Sequence, residues 1–175
     1  MRSRPGRTEA ADYYFTYIDK VGEGDIVEIL MRQAQEVRAL CENISEELSQ
    51  HRYAPDKWTI REVLGHLNDC ERLAVFRAFW FARGFDTPLP SFDQNVAMDA
   101  STANLRKLRN HLEEFMALRA ATVAFFDSLP EAAWTRQGVA SGNPFTVRAL
   151  AYVCAGHVTH HLEIVRNRYL TSIGS

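Results

Sequence analysis

The sequence contains few cysteines, and their positions do not suggest a disulfide framework. Only three occur in 175 residues, at Cys41, Cys70 and Cys154, an odd number without close pairing. Domains stabilised by disulfides carry a denser, even set, and such bonds persist mainly in oxidising compartments. We therefore expect three free thiols and a cytoplasmic protein.

The sequence also lacks the long apolar runs of membrane-spanning proteins and the concentrated positive charge of nucleic-acid-binding proteins. No window reaches the roughly 18 uncharged apolar residues of a membrane-spanning helix, and residues 1–11 contain no signal-peptide core. The 20 basic and 22 acidic residues are intermixed, with a formal net charge of −2. We expect neither membrane association nor nucleic-acid binding.

Glycine-rich phosphate loops and strand patterns are missing as well. Gly22 and Gly24 have neither the third glycine nor the preceding strand of a dinucleotide site. No run of alternating apolar and polar residues predicts a β-strand. These absences argue against nucleotide binding of the Rossmann type and favour an all-α protein.

Four long amphipathic patterns are present, and each predicts a helix. The first begins after Asp25, a good N-cap residue, and its pattern fades near Ser49. The second begins with a capping box formed by Thr59 and Glu62. It ends before Gly84, a natural residue for the position just after a helix.

The last two patterns complete the predicted architecture. The third helix is expected from Ser101 to the residues before Pro130, and the fourth from Asn143, with Pro144 in its first turn. Residues 85–100 form a long link between the second and third helices. We predict a four-helix bundle with a long crossover connection.

The chain length suits one domain with a single substantial core. The arginine-rich start, which soon becomes acidic, resembles a frayed terminus. We expect residues 1–12 to be a flexible N-terminal tail and residues 13–175 to form a single helical-bundle domain.

Two histidines lie one turn apart in the apolar stripe of the fourth helix. They are His157 and His161, and His66 lies in the second helix. Imidazoles four residues apart have Cβ atoms about 5–6 Å apart, so both can face one point. Because buried imidazoles need partners, one divalent metal can satisfy several at once. A third imidazole from a facing helix would complete a metal site with an open position.

The sequence leaves other interpretations of these histidines open. Each imidazole can instead bond to a carbonyl or a carboxylate. His160 lies three residues after His157, a spacing that also places both on one face, so it could take the place of His161. The metal is open too, because imidazole suits zinc, nickel, copper and iron.

Several residues near the histidines have two interpretations. Asp69 could orient His66 or approach the metal, or it could form an ion pair with Arg72. Cys70 and Cys154 could ligate a metal as thiolates or simply pack in the core.

Residues farther from the histidines are expected to have structural roles. The aromatic cluster of Tyr13, Tyr14, Phe15 and Tyr17 should pack the N-terminal segment across the bundle or line a pocket. His111 lies among charged residues and is expected to be solvated, and Glu71 is expected to form an ion pair on the surface.

Five segments follow one another in a characteristic order. They are KWTIREVLGHL at 57–67, DCER at 69–72, FARG at 81–84, PLPSFDQ at 88–94 and GHVTHH at 156–161. In this order and spacing the chain resembles the DinB-like (DinB/YfiT) superfamily of bacterial four-helix proteins, over residues 13–170. The resemblance implies a homodimer and a divalent metal, nickel or zinc, on His66, His157 and His161.

Two classes of function are consistent with these residues. Relatives with known activities imply a metal-dependent transferase or isomerase that uses a low-molecular-weight thiol. A metal-dependent hydrolase is the enzymatic alternative, with Asp69 as proton acceptor. In either enzyme, Asp93 and Gln94 of the long link could hold a polar small-molecule substrate. The non-catalytic alternative is a metal- or small-ligand-binding protein of a stress response.

Overall fold

The computed structural model describes residues 2–171. This part of the chain contains six α-helices and one β-hairpin. The helices are α1 (Phe15–Ile18), α2 (Ile26–Glu42), α3 (Ile60–Ala82), α4 (Gln94–Ala100), α5 (Leu108–Asp127) and α6 (Val147–Ile164). A π-helical turn, Val165–Leu170, extends α6. The four long helices α2, α3, α5 and α6 confirm the predicted bundle.

Local capping interactions set the start of α2 and both ends of α3 where the sequence predicts them, whereas α2 ends at Glu42 rather than near Ser49. The Asp25 carboxylate accepts hydrogen bonds from the first turn of α2. Thr59 and Glu62 form the reciprocal capping box of α3, with N···O distances of 3.1 and 2.7 Å. Gly84 follows α3 with φ of +83°, a left-handed conformation that favours glycine.

The predicted starts of the third and fourth helices are wrong. The third helix, α5, begins at Leu108 rather than Ser101, because a short 3-10 turn intervenes at Ala103–Leu105. The fourth, α6, begins at Val147, where the Thr146 hydroxyl accepts a hydrogen bond from the first turn. Each helix therefore starts a few residues later than its apolar pattern suggests.

A hairpin that the sequence does not predict precedes α6. Strands β1 (Gln137–Ala140) and β2 (Asn143–Thr146) pair antiparallel. The residues of the two-residue turn, Ser141 and Gly142, have φ of 53° and 72°. Positive φ at both positions is typical of a tight hairpin turn. Strands of four residues are too short to show an alternating pattern, which explains the wrong prediction.

The long helices pack around two apolar clusters. Going round the bundle the order is α2, α5, α3, α6, since α5 and α6 each contact both α2 and α3. Helix α6 contributes Leu150 to one cluster and Val158 to the other. His157 is thus placed where the two clusters meet. Within the described residues, no helix has the length and apolar character needed to cross a bilayer.

Residues 2–12, predicted to be a flexible tail, contact the hairpin and the start of α6. Ala10 forms an antiparallel bridge with Phe145. The Glu9 carboxylate accepts hydrogen bonds from Thr146 Oγ1 at 2.8 Å and from Arg148 Nε at 3.0 Å. These contacts give the position of the segment, and its flexibility stays a prediction.

A buried polar network links all four long helices. Arg119 of α5 donates to both carboxylate oxygens of Glu71 of α3, at 2.7 and 2.9 Å, and both side chains are 1 % exposed. Arg119 also donates to the Gln33 side chain of α2 at 2.7 Å, and Gln33 donates to the Ala155 carbonyl of α6 at 2.8 Å. The Cys154 thiol donates to Glu71 at 2.9 Å.

The position of Glu71 corrects the prediction of a surface ion pair. Burial opposes the ionisation of Glu71, but the charge and hydrogen bonds of Arg119 outweigh it and hold the pKa of the carboxyl below its usual value. A paired, fully hydrogen-bonded carboxylate can therefore occupy the core.

Replacing one member of this ion pair should be strongly destabilising. Arg119→Met leaves the Glu71 carboxylate buried without its counter-charge, so we expect a loss of about 3–5 kcal/mol in the free energy of unfolding. Denaturant titration of this variant, of Glu71→Met and of the double variant completes a cycle. The double variant should lose much less than the sum of the single losses, and additive losses would contradict the coupling.

Gly156 allows α1 to approach α6 closely. A Cβ atom built on Gly156 would lie 2.0 Å from the Tyr17 carbonyl oxygen. That contact is with backbone, so a side chain can be accommodated only if α1 moves away.

Gly156→Ala should therefore displace α1 and destabilise the protein. We expect a loss of about 1–3 kcal/mol in the free energy of unfolding, the usual cost of overpacking. Gly22→Ala is the matched control, since a Cβ there meets nothing within 4 Å. Equal thermal stabilities of the two variants would refute the close approach.

Candidate metal centre

Three imidazoles from two helices converge at the middle of the bundle. His66 projects from α3, and His157 and His161 project from α6. The Nε2 atom of His157 lies 3.1 Å from Nε2 of His66 and 3.2 Å from Nε2 of His161. One nitrogen of each ring lies within 4.8 Å of the others. The structure thus brings together the three histidines that the sequence singles out.

Hydrogen bonds among the rings do not account for this arrangement. A ring nitrogen carries either one hydrogen or one lone pair, so Nε2 of His157 cannot bond well to both neighbours. Three nitrogens about 2.0–2.1 Å from a tetrahedral cation lie about 3.3–3.4 Å apart. The observed spacings of 3.1 and 3.2 Å are close to that value. The donor set fits a divalent transition metal.

The imidazoles are neutral at physiological pH. Burial lowers the pKa of His66 to about 4. Burial, with smaller effects from the charges of His66 and His160, lowers the pKa of His161 to about 3. Burial and the neighbouring imidazoles hold the pKa of His157 well below its usual value. Each ring can therefore offer a lone pair without first losing a proton.

The surrounding side chains restrict the orientation of the rings. The His66 ring lies 4.8 Å from the Trp58 ring, and its Nδ1 lies 3.6 Å from Cys70 Sγ. The Tyr17 ring lies 5.3 Å from the His157 ring in an edge-on arrangement. His161 Nδ1 is buried without a hydrogen-bond partner among the described residues. Packing, more than hydrogen bonding, orients these rings.

Among the described residues, the group of side chains that could share a metal contains neither nearby cysteine. Burial raises the pKa of Cys70 to about 12, and it also raises the pKa of Cys154 well above its usual value. Cys154 donates its hydrogen to Glu71. These positions favour the packing role that the sequence left open.

A cavity of about 200 Å³ opens beside the histidines. We call it the aromatic cavity. His66 and His157 line one part of it, and the other lining residues include Tyr13, Tyr14, Tyr17, Leu73, Arg77, Phe92, Gln94, Ser141, Phe145 and Leu150. A second depression, which includes Trp58, reaches His161 from another side. The imidazoles thus lie between two openings, and the tyrosines line a pocket, as the sequence suggested.

Three further candidate residues occupy different environments. Gln94 borders both openings. Asp93 lies next to it, but its carboxylate accepts two backbone hydrogen bonds at the start of α4. Asp69 lies 3.6 Å from Arg72, and it lines neither opening.

His111 is buried, so the prediction that it is solvated is wrong. It is 1 % exposed, and its Nε2 lies 2.9 Å from the Ala103 carbonyl oxygen. The 3-10 turn before α5 packs over it, close to Gly65 of α3. His160 is not one of the three converging rings, and its ring lies 5.4 Å from that of Tyr17.

Arg77 and Ser141 line the aromatic cavity, although the sequence analysis does not select either residue. Arg77 follows His66 by eleven residues, about three helical turns, so both lie on one face of α3. This shared helix face was the sequence feature that could have pointed to Arg77 as a residue near the site. A single arginine in a helix more often marks a solvated surface.

Comparisons with known proteins identify the fold and the family of this chain. The structure is similar to that of YfiT from Bacillus subtilis, with a TM-score of 0.72 and 16 % sequence identity over 97 % of this chain and 93 % of that one. YfiT is described as a probable metal-dependent hydrolase with an unusual four-helix bundle topology. No curated protein sequence matches at a significant level. The family model of the DinB superfamily matches residues 29–165, and the chain therefore belongs to that superfamily.

Proposed function

We propose that this chain is a metal-dependent enzyme that holds zinc or nickel on His66, His157 and His161. The observation that carries the proposal is the convergence of three neutral imidazoles beside the aromatic cavity. Three protein nitrogens leave at least one position of a tetrahedral site free. The description of YfiT as metal-dependent supports the same class of activity.

The free position suits activation of a small nucleophile. A divalent cation held by His66, His157 and His161 would lower the pKa of a thiol or water bound at that position and so would supply a nucleophile at neutral pH. The aromatic walls of the cavity would exclude solvent from the reacting groups. Gln94 can donate and accept hydrogen bonds at the border of both openings, so it is the better candidate for holding a polar substrate. Asp93 is the weaker one, because its carboxylate already caps α4.

The side chains of the cavity favour a thiol over water as the nucleophile. A free thiol has a pKa of about 8.5 and water one of about 15.7, so with no base nearby the thiol loses its proton to solvent far more readily beside a cation. Among the described residues that line the cavity, Glu71 has the one carboxylate, and Arg119 occupies both of its oxygens. Asp69 lines neither opening, so its position gives no support to a role as base.

We therefore propose a thiol-dependent transferase or isomerase. A low-molecular-weight thiol would lose its proton to solvent, and its sulfur would form a bond to an electrophilic carbon. In transfer, the leaving group departs with the electron pair. In isomerisation, the sulfur adds to a conjugated double bond and is expelled after rotation. Homodimer formation stays a prediction from the family resemblance.

Hydrolysis is the second candidate, and the description of YfiT favours it. It would use the same three histidines and the same cavity. A non-catalytic metal-binding role has less support, because a site built only to hold a metal is usually closed by a fourth protein ligand. The two enzymatic candidates differ in whether a thiol is required.

Metal content tests the three ligands directly. Untagged wild-type protein should contain about one divalent metal ion per chain, and His66→Ala, His157→Ala and His161→Ala should each lose most of it. Elemental analysis measures the content, and circular dichroism checks the fold. His160→Ala is the matched control and should keep its metal. Loss of metal in the control with retention in His161→Ala would assign the ligand to His160 instead.

Turnover tests the reaction. Metal-loaded protein should accelerate the reaction of glutathione or cysteine with 1-chloro-2,4-dinitrobenzene, and a chelator should abolish the acceleration. In His161→Ala we expect a rate about 100-fold lower, similar to the loss of one strong electrostatic element. Unchanged turnover in that variant would refute the role of the site. Cleavage of p-nitrophenyl acetate without any thiol, with no thiol-dependent reaction, would establish the hydrolase instead.

A further inference from the structure

Arg77 brings a buried positive charge to the wall of the aromatic cavity. The residue is 7 % exposed and lines the cavity together with His66 and His157. No carboxylate of the described residues forms an ion pair with it. Buried charges in proteins are normally paired, because desolvation of an isolated charge is costly.

The hydrogen bonds of Arg77 leave most of its donors unused. Its Nη2 donates to the Pro90 carbonyl at 3.0 Å and to Ser141 Oγ at 2.7 Å. Its Nε is buried and has no acceptor among the described residues. A guanidinium has five N–H donors, so three of them remain for another acceptor. Ser141 lies in the turn of the hairpin with φ of 53°, which is uncommon for serine. Its hydroxyl oxygen accepts the hydrogen bond from Arg77.

Arg77 and the metal centre lie toward opposite ends of one helix face. The eleven residues from His66 to Arg77 correspond to about 16 Å along α3. Cys70 and Ala74 lie between them on the same face and also line the cavity. A ligand that touches both ends must be elongated.

We propose that the aromatic cavity binds an elongated carboxylate, whose anionic end pairs with Arg77 and whose apolar body extends toward His66 and His157. Among the described residues that line this cavity, Arg77 is the one arginine, and there is no lysine. A single guanidinium with unused donors matches a monoanionic, planar carboxylate. That this ligand is the substrate rests on the proposed function, whereas its binding to Arg77 does not.

The alternative is that Arg77 has only a structural role and connects the hairpin to the segment around Pro90. Its two Nη2 hydrogen bonds are consistent with such a role. If the role is structural, replacing Arg77 should change the affinities for acidic and neutral ligands equally, because the shape of the cavity changes for both. Carboxylate recognition predicts a loss for the acid alone.

Binding of matched acids and amides separates these possibilities. The probes are phenylacetate, 4-phenylbutyrate and 6-phenylhexanoate with their primary amides, titrated by calorimetry into metal-free and metal-loaded protein. At least one acid should bind wild type about tenfold more tightly than its amide, as expected for a charge-assisted hydrogen bond. Arg77→Gln should remove this preference, and Arg77→Lys should keep part of it.

Three controls complete the experiment. Arg72→Gln makes the same change on the same helix at a residue that lies outside the cavity, and it should keep the preference. Ser141→Gly removes one hydrogen bond of Arg77 but keeps its charge, so this variant should also keep the preference for the acid. His161→Ala should lose metal but keep the preference, so failure of the metal site and failure of the carboxylate site give different results.

Two results would overturn the carboxylate site. One is that no acid of the series binds wild type more tightly than its amide. The other is that the preference persists in folded Arg77→Gln or disappears in Ser141→Gly as well. Circular dichroism and thermal unfolding establish that each variant is folded.

Discussion

The buried ion pair between Glu71 and Arg119 is the interaction on which the geometry of the site depends. Through Gln33 it reaches the Ala155 carbonyl, two residues before His157, and Glu71 itself lies five residues after His66. The network therefore connects α3 and α6, the two helices that carry the imidazoles, through α5 and α2. Such a pair adds little net stability, because desolvation offsets much of its attraction. We infer that it contributes specificity instead, since sliding of α3 against α5 would leave a buried charge unpaired.

The sequence predicts features whose causes are local. The Thr59–Glu62 capping box and Gly84 set the bounds of α3 within a few neighbouring residues, and both predictions are confirmed. The spacing of His157 and His161 follows from helical periodicity alone. Their convergence with His66 also requires that α3 and α6 pack together by their apolar faces. Helices with apolar stripes pack in this way, so the sequence could predict the convergence.

Features that depend on distant contacts could not be predicted. Glu71 and His111 have charged neighbours in sequence, but Arg119 and the Ala103 carbonyl pair with them in the core. The hairpin before α6 is too short to show periodicity. The cavity position of Arg77 depends on Pro90 and Ser141, which come from two separate segments. For Glu71 and Arg77 the partners come from distant segments, whereas Ala103 lies only eight residues before His111 and the hairpin is local, so there the sequence pattern was too weak to show the contact.

The distance between Arg77 and the imidazoles along α3 allows both a guanidinium and a metal cation beside the aromatic cavity. Over about 16 Å, with an effective dielectric constant of about 20, a guanidinium and a divalent cation repel each other by roughly 2 kcal/mol. A carboxylate paired with the guanidinium lies at a similar distance from the cation and attracts it by roughly the same 2 kcal/mol. An anionic ligand beside Arg77 would therefore cancel most of the repulsion and make the cavity more favourable for a cation on the imidazoles. A carboxylate of the protein in that place would have neutralised Arg77 permanently and closed this end of the cavity to an anionic ligand.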